Sequence, residues 1–175
     1  MLKTILSLIA VALAAILVYA ATKPDTFRVQ RSVHIKAGPE AIFPHIDTLT
    51  NWAAWSPWEK MDPAMKKTAG GPTHGKGATM AWDGNSDVGT GLMEITDSTP
   101  ASKVIIKLDF LKPFEGHNIA EFTLERTDGA THVTWAMFGP QAYLMKLMGV
   151  FVDCDQMIGK DFEAGLANLK ALAEK

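Results

Sequence analysis

The spacing of apolar residues changes once along this chain, and that change constrains the fold more than any other feature. From about residue 65 to residue 138, apolar and polar side chains alternate in short segments, which predicts half-buried strands. Turn sequences such as Asp128-Gly129 separate these segments and favour antiparallel hairpins. From Gln141 to Glu174 the apolar period becomes 3.6, which predicts a long amphipathic helix.

An alternating segment from Phe27 to Lys36 and a pair of helical segments precede the six later strands. The order of strand, helix pair, six strands and long helix predicts an α+β domain over residues 26–175. In it, a curved antiparallel sheet of six or seven strands wraps around the C-terminal helix. The chain of 175 residues, 47% of them hydrophobic, is long enough for one such core.

The first 22 residues predict a targeting or anchoring helix. Lys3 is followed by an uncharged run from Thr4 to Thr22, just long enough to span a bilayer. One interpretation is a signal peptide cleaved after Val18-Tyr19-Ala20, and the other is an uncleaved anchor, favoured by the polar Lys23-Pro24-Asp25 that follows. We therefore expect a domain outside the cytoplasm, anchored in the inner membrane, or periplasmic or secreted after cleavage.

Charge and ligand-type residues exclude several functions. A net charge of −2 with scattered basic residues argues against a nucleic-acid partner. The single cysteine, Cys154, cannot form an internal disulfide. The histidines lack metal-ligand spacing, and the glycine pairs do not open a helix, so we expect no metal and no cofactor.

Several local sequences resemble the START-like (SRPBCC) superfamily with the helix-grip fold, and most closely its polyketide cyclase/dehydrase-type branch. They are Arg31-Ser32-Val33-His34-Ile35, the segments Trp52 to Trp58 and Leu108 to Phe114, and Gly159 to Leu166. The resemblance covers about residues 26–174. It implies a sheet gripping the last helix around an apolar cavity, and members bind lipids, sterols, polyketides or hormones, while some are enzymes. It implies no catalytic residues for this chain.

The candidate ligand-binding residues follow from the inward faces of the predicted elements. The expected walls of an enclosed cavity are Trp82, Met93, Phe110, Trp135 and Met137 from strands, with Met148, Phe151, Ile158 and Phe162 from the helix. Trp52 and Trp55, spaced by three like Trp55 and Trp58, predict either a lid at the cavity mouth or core packing. Arg31 and Asp155 are inward charges that either hold the polar end of a ligand or pair at the rim.

Three functions are compatible with this sequence. The first is binding or transport of a lipid-like or isoprenoid-like molecule by a membrane-associated domain. The second is a polyketide cyclase or dehydratase, which needs convergent titratable groups, for which the sequence offers Arg31, Asp155, His45 and Glu94. The third is a protein-interaction module, which needs an exposed apolar patch.

Overall fold

A computed structural model describes residues 2–175, and in this part of the chain the strands form a seven-stranded antiparallel sheet. In chain order the elements are α1 (Leu2–Thr22), β1 (Thr26–Ile35), α2 (Pro39–Asp47), a 3-10 helix (Leu49–Ala54), α3 (Trp58–Met61), β2 (Lys66–Gly70), β3 (Thr79–Asp83), β4 (Thr90–Thr99), β5 (Lys103–Lys112), β6 (Gly116–Thr127), β7 (Ala130–Pro140), α4 (Tyr143–Met148) and α5 (Cys154–Ala173). The strand order is β1-β7-β6-β5-β4-β3-β2, so the helices between β1 and β2 connect the two edges of the sheet. The expected helix-grip architecture is confirmed.

The inner face of the sheet carries the predicted alternation. On β1, Val29 and Ile35 are buried, whereas Arg28 and Gln30 point outward and are exposed. Each fully buried side chain of this size stabilises the fold by about 1.5–3 kcal/mol.

The helix α5 lies against this inner face over β1 and β7. Phe162 stacks on Trp135 with ring centroids 4.0 Å apart and planes 5° apart, and Leu166 and Leu169 are buried beside it. Gly165 permits the close approach, because a Cβ there would lie 2.9 Å from Cζ3 of Trp135 and 3.1 Å from Cδ of Pro57. The C-terminal half of the last helix is therefore gripped as expected.

The predicted single helix over residues 141–174 is instead broken, and this part of the expectation is wrong. α4 ends at Met148, and α5 begins at Cys154 with the Asp153 side chain accepting a hydrogen bond from the backbone N–H of Gln156. That N-cap stabilises a new helix start. Met148 and Phe151 consequently lie away from the sheet, 39% and 71% exposed, and not on the stripe that contains Phe162.

The helix α1 is exposed along most of its length, and only its last turns contact the domain. Ala20 is fully buried, and the Tyr143 hydroxyl on α4 donates a hydrogen bond to the Leu17 carbonyl at 2.9 Å. Lys146, itself buried, forms an ion pair with Asp25 just beyond α1. α4 therefore packs against the end of a helix that is otherwise exposed. Among residues 2–175, α1 is the one helix long and apolar enough to cross a membrane.

Candidate functional site: the open end of the concave face

Burial of the inner face decreases toward one end of the sheet. The cross-strand register places in one row Val29, Met137, Ala120, Ile106 and Ile95, all no more than 7% exposed. The next row, toward the start of β1, contains Phe27, Asn118, Leu108 and Met93, which are all half-buried. We call this second row the mouth row. The concave face is therefore closed near its middle and open where β1 begins and β7 ends.

Small and polar groups shape the centre of the mouth row. Gly139 lies opposite Phe27, and a Cβ on Gly139 would come within 2.3 Å of the Asn118 side-chain oxygen. The Asn118 amide thus lies over a position without a side chain, where it is placed to donate and accept hydrogen bonds. Beyond the row, Trp82 and Phe110 meet edge to face at 5.6 Å and close the far corner.

A groove of about 720 Å³ adjoins the mouth row on the β1 side. Its walls come from the end of α1, the start of β1 and the segment from Gly149 to Ile158, and they include Phe151 and Asp155. Phe27 belongs both to the groove wall and to the mouth row, so the groove adjoins the row at this residue. This volume is within the range of small-molecule sites in proteins, about 300–1,000 Å³.

The predicted aromatic residues form the packed floor behind the mouth row. Trp52 and Trp55 are 7% and 1% exposed, and their indole N–H groups donate to the carbonyls of Ile46 and His45, each at 2.9 Å. Both rings contact Trp135 edge to face. These bonds favour core packing over a mobile lid. Only Trp58, half-buried against Trp135, approaches solvent.

Arg31 and Asp155 pair with each other. Arg31 Nη2 lies 3.0 Å from Asp155 Oδ2, and Arg31 Nε lies 2.8 Å from Glu163 Oε1. These hydrogen bonds, first with Asp155 and then with Glu163, raise the pKa of the Arg31 guanidinium further above its ordinary value. Gly159 makes room, because a Cβ there would lie 1.9 Å from Arg31 Nη2. The cluster therefore ties α5 to β1, as the rim-pair interpretation expected.

The other titratable groups do not converge on this space. Glu94 pairs in register with Lys107 and, next to the inward Met93, points to the outer face, while His45 lies on α2. Asp161 lies one turn before Gly165 on the same side of α5, and burial raises the pKa of its carboxyl. Within residues 2–175, no group of three or more His, Cys, Asp or Glu side chains could hold a metal ion.

Comparison with known proteins agrees with this geometry. A family model described as polyketide cyclase/dehydrase and lipid transport matches residues 26–174. The chain belongs to this family. Comparison with curated proteins gives no match.

Solved structures share the fold at low sequence identity. A protein from Rhizobium leguminosarum is 14% identical with a TM-score of 0.62, over 85% of this chain and 95% of that one. The Aha1 dimer from Colwellia psychrerythraea is 20% identical with a TM-score of 0.57, over 85% and 96%. DynU16, from the dynemicin biosynthetic locus, is 16% identical with a TM-score of 0.60, over 87% of this chain and 48% of that one.

For this member of the polyketide cyclase/dehydrase and lipid transport family, some residues around the candidate site could not be predicted from the sequence. Tyr19 of α1 and Lys23, which directly follows that helix, line the groove with Phe27 and Val29 from β1, whereas the sequence predicts only a targeting or anchoring role for residues 1–22. Asn118 was also missed. The alternation on β6 places it inward, but a lone amide gives no further signal in the sequence.

On the outer face, His117 belongs to a charged cluster. Its Nδ1 lies 2.7 Å from Asp109 Oδ1, and Lys107 Nζ lies 2.8 Å from Asp109 Oδ2. The hydrogen bond with Asp109 raises the pKa of His117. Hydrogen bonds, first with Lys107 and then with His117, lower the pKa of Asp109.

We expect Asp109→Asn to lower the pKa of His117, measured by NMR titration of its ring protons. Because the folded-state pKa is the higher one, the contact stabilises the fold below the unfolded value of about 6.5. That contribution is lost as the pH rises through the folded pKa. The effect on stability is small, since His117 is 59% exposed. Glu115→Gln is the matched control and should lower the pKa less, and an unchanged titration in Asp109→Asn would contradict the assignment.

Proposed function

We propose that the domain binds or carries a hydrophobic small molecule, lipid-like or isoprenoid-like, on the open part of its concave face. The observation that carries this proposal is the graded burial of the inner face. A packed aromatic floor gives way to the half-buried mouth row, apolar except at Asn118, which meets a groove of about 720 Å³ at Phe27. An apolar ligand burying about 300 Å² there would gain about 7 kcal/mol before entropy losses.

A polar contact for the head of such a ligand is available from the Asn118 amide, which lies in the mouth row. Arg31 is engaged by Asp155 and Glu163, which leaves it without the freedom that acid–base work requires. The geometry therefore supports binding better than a cyclase or dehydratase reaction.

We further propose that α1 remains attached as a membrane anchor, with the domain outside the cytoplasm. Two features tie α1 itself to the domain: the Tyr143 hydroxyl donates a hydrogen bond to the Leu17 carbonyl, and Ala20 is fully buried. Cleavage after Ala20 would remove both, whereas the contacts of Lys23 and Asp25 just beyond α1 would remain. An anchored domain would keep the groove beside the bilayer, where hydrophobic ligands concentrate.

Blocking the mouth row tests the binding proposal. Met93 and Leu92 are neighbours on β4, but Met93 points into the concave face and Leu92 points outward, 37% exposed. We expect Met93→Trp to weaken binding of a photoactivatable fatty acid at least about tenfold, which is about 1.4 kcal/mol. Labelling of the full chain in lipid nanodiscs, read by intact mass, gives the saturation curve.

Leu92→Trp is the matched control and should bind like the unmodified chain. Equal affinity in the two variants would remove the mouth row from the site. Absence of saturable labelling in the unmodified chain would refute the carrier function.

A further inference from the structure

The contact between α1 and α4 defines how deep the domain would lie in a membrane. The 21 residues of α1 extend about 32 Å, close to the thickness of a bilayer's hydrocarbon core. Tyr143 on α4 bonds to Leu17, which lies about 8 Å before the end of α1 along its axis. If α1 spans the bilayer, α4 therefore lies at the level of the lipid headgroups or deeper.

Large apolar side chains are exposed around the same opening. Five residues on α4 and the segment that follows it are 39–71% exposed: Tyr143, Leu144, Met148, Phe151 and Val152. The end of β5 adds Leu111 and the β5–β6 turn adds Phe114, each 55% exposed. That turn follows the pair Phe110 and Gly116, at the end of the sheet where β1 begins. We call these seven side chains the apolar collar.

The turns at the opposite end of the domain expose polar and small residues instead. Within residues 2–175, no large apolar side chain is exposed in the β2–β3, β4–β5 or β6–β7 turns. Both tyrosines of the chain, Tyr19 and Tyr143, lie instead at the collar end. Tyrosine is enriched at membrane–water interfaces, because its ring is apolar and its hydroxyl polar. Large exposed apolar side chains gathered at one end of a domain indicate an interaction site.

We propose that the apolar collar docks on the phospholipid bilayer that α1 crosses, so that the groove and the mouth row open onto lipid. The collar continues the lipid-facing surface of α1 through α4, which makes the bilayer its occupant. This inference rests on the proposed function and extends it. The ligand would be a membrane-resident molecule that enters sideways from the bilayer without crossing water.

Depth-dependent quenching tests the docking directly on the full chain. In a Cys154→Ser background, the variants Phe114→Cys, Phe151→Cys and Asp128→Cys carry an environment-sensitive fluorophore, and each is reconstituted into phosphatidylcholine vesicles. Asp128, in the β6–β7 turn, is the control at the opposite end. Nitroxide-labelled lipids should quench positions 114 and 151 at least about threefold more strongly than position 128.

Quenching at either collar position no stronger than at position 128 would overturn the proposal and leave the collar to a protein partner. The measurement needs no ligand, so it stands or falls independently of the fatty-acid labelling above. The double variant Phe114→Glu with Leu144→Glu adds a second readout, and neither of these collar side chains lines the groove. It should slow uptake of the photoactivatable fatty acid from vesicles several-fold, while labelling with the same probe delivered in detergent stays unchanged. Unchanged uptake would also overturn the proposal.

Discussion

Trp135→Ala is expected to lower the free energy of unfolding by about 3–5 kcal/mol, the largest single effect in the domain. The Trp135 ring is 2% exposed and stacks between Phe162 at 4.0 Å and Phe122 at 4.9 Å. Its removal would leave a cavity at the contact between α5 and the sheet. For a domain of this size, the melting temperature should fall by about 6–20 °C, measured on the full chain in detergent.

Trp135→Phe is the matched control for this prediction. It keeps an aromatic ring between Phe162 and Phe122 and removes the indole N–H, which is buried with no hydrogen-bond partner in residues 2–175. No hydrogen bond is lost, so we expect well under half of the loss seen for Trp135→Ala. Equal losses in the two variants would show that the stacking does not carry the stability of this contact.

Deletion of residues 1–22 is expected to move the protein almost entirely from the membrane fraction to the soluble fraction. The domain should remain folded, because Ala20 is the one residue of α1 that the structure buries. Circular dichroism of the truncated chain and carbonate extraction of the full chain measure both parts. The apolar collar should give the truncated domain only weak, reversible vesicle binding.

Intact mass of the membrane-bound protein separates the two interpretations of the leader. A retained anchor gives the mass of the full chain, whereas cleavage after Ala20 gives a chain that begins at Ala21. If the truncated domain is unfolded, the end of α1 belongs to the core, and the boundary predicted between residues 22 and 26 is wrong.

The strands and the burial of Phe162, Leu166 and Leu169 could be predicted from the sequence, because each follows from a local period. The antiparallel pairing followed from the short turn sequences between the strands. The break between α4 and α5 could not be read from the apolar stripe, which runs through both. A signal was present, since Asp153 and Gln156 have the spacing of a capping box. The apolar stripe is regular across both helices, and it predicts one continuous helix more strongly than this spacing predicts a new helix start.

By itself, the sequence determined the fold class, the apolar leader and which faces of the elements are apolar. The tertiary structure decided which surface each of them meets. Leu144, Met148 and Phe151 have the same spacing as the helical residues that pack on the sheet, yet they lie beside α1 at the open end. The pairing of Arg31 with Asp155 was likewise decided by the packing of α5 on β1. A periodic pattern reports that a face is apolar, and a face turned to lipid has the same pattern as one turned to a protein core.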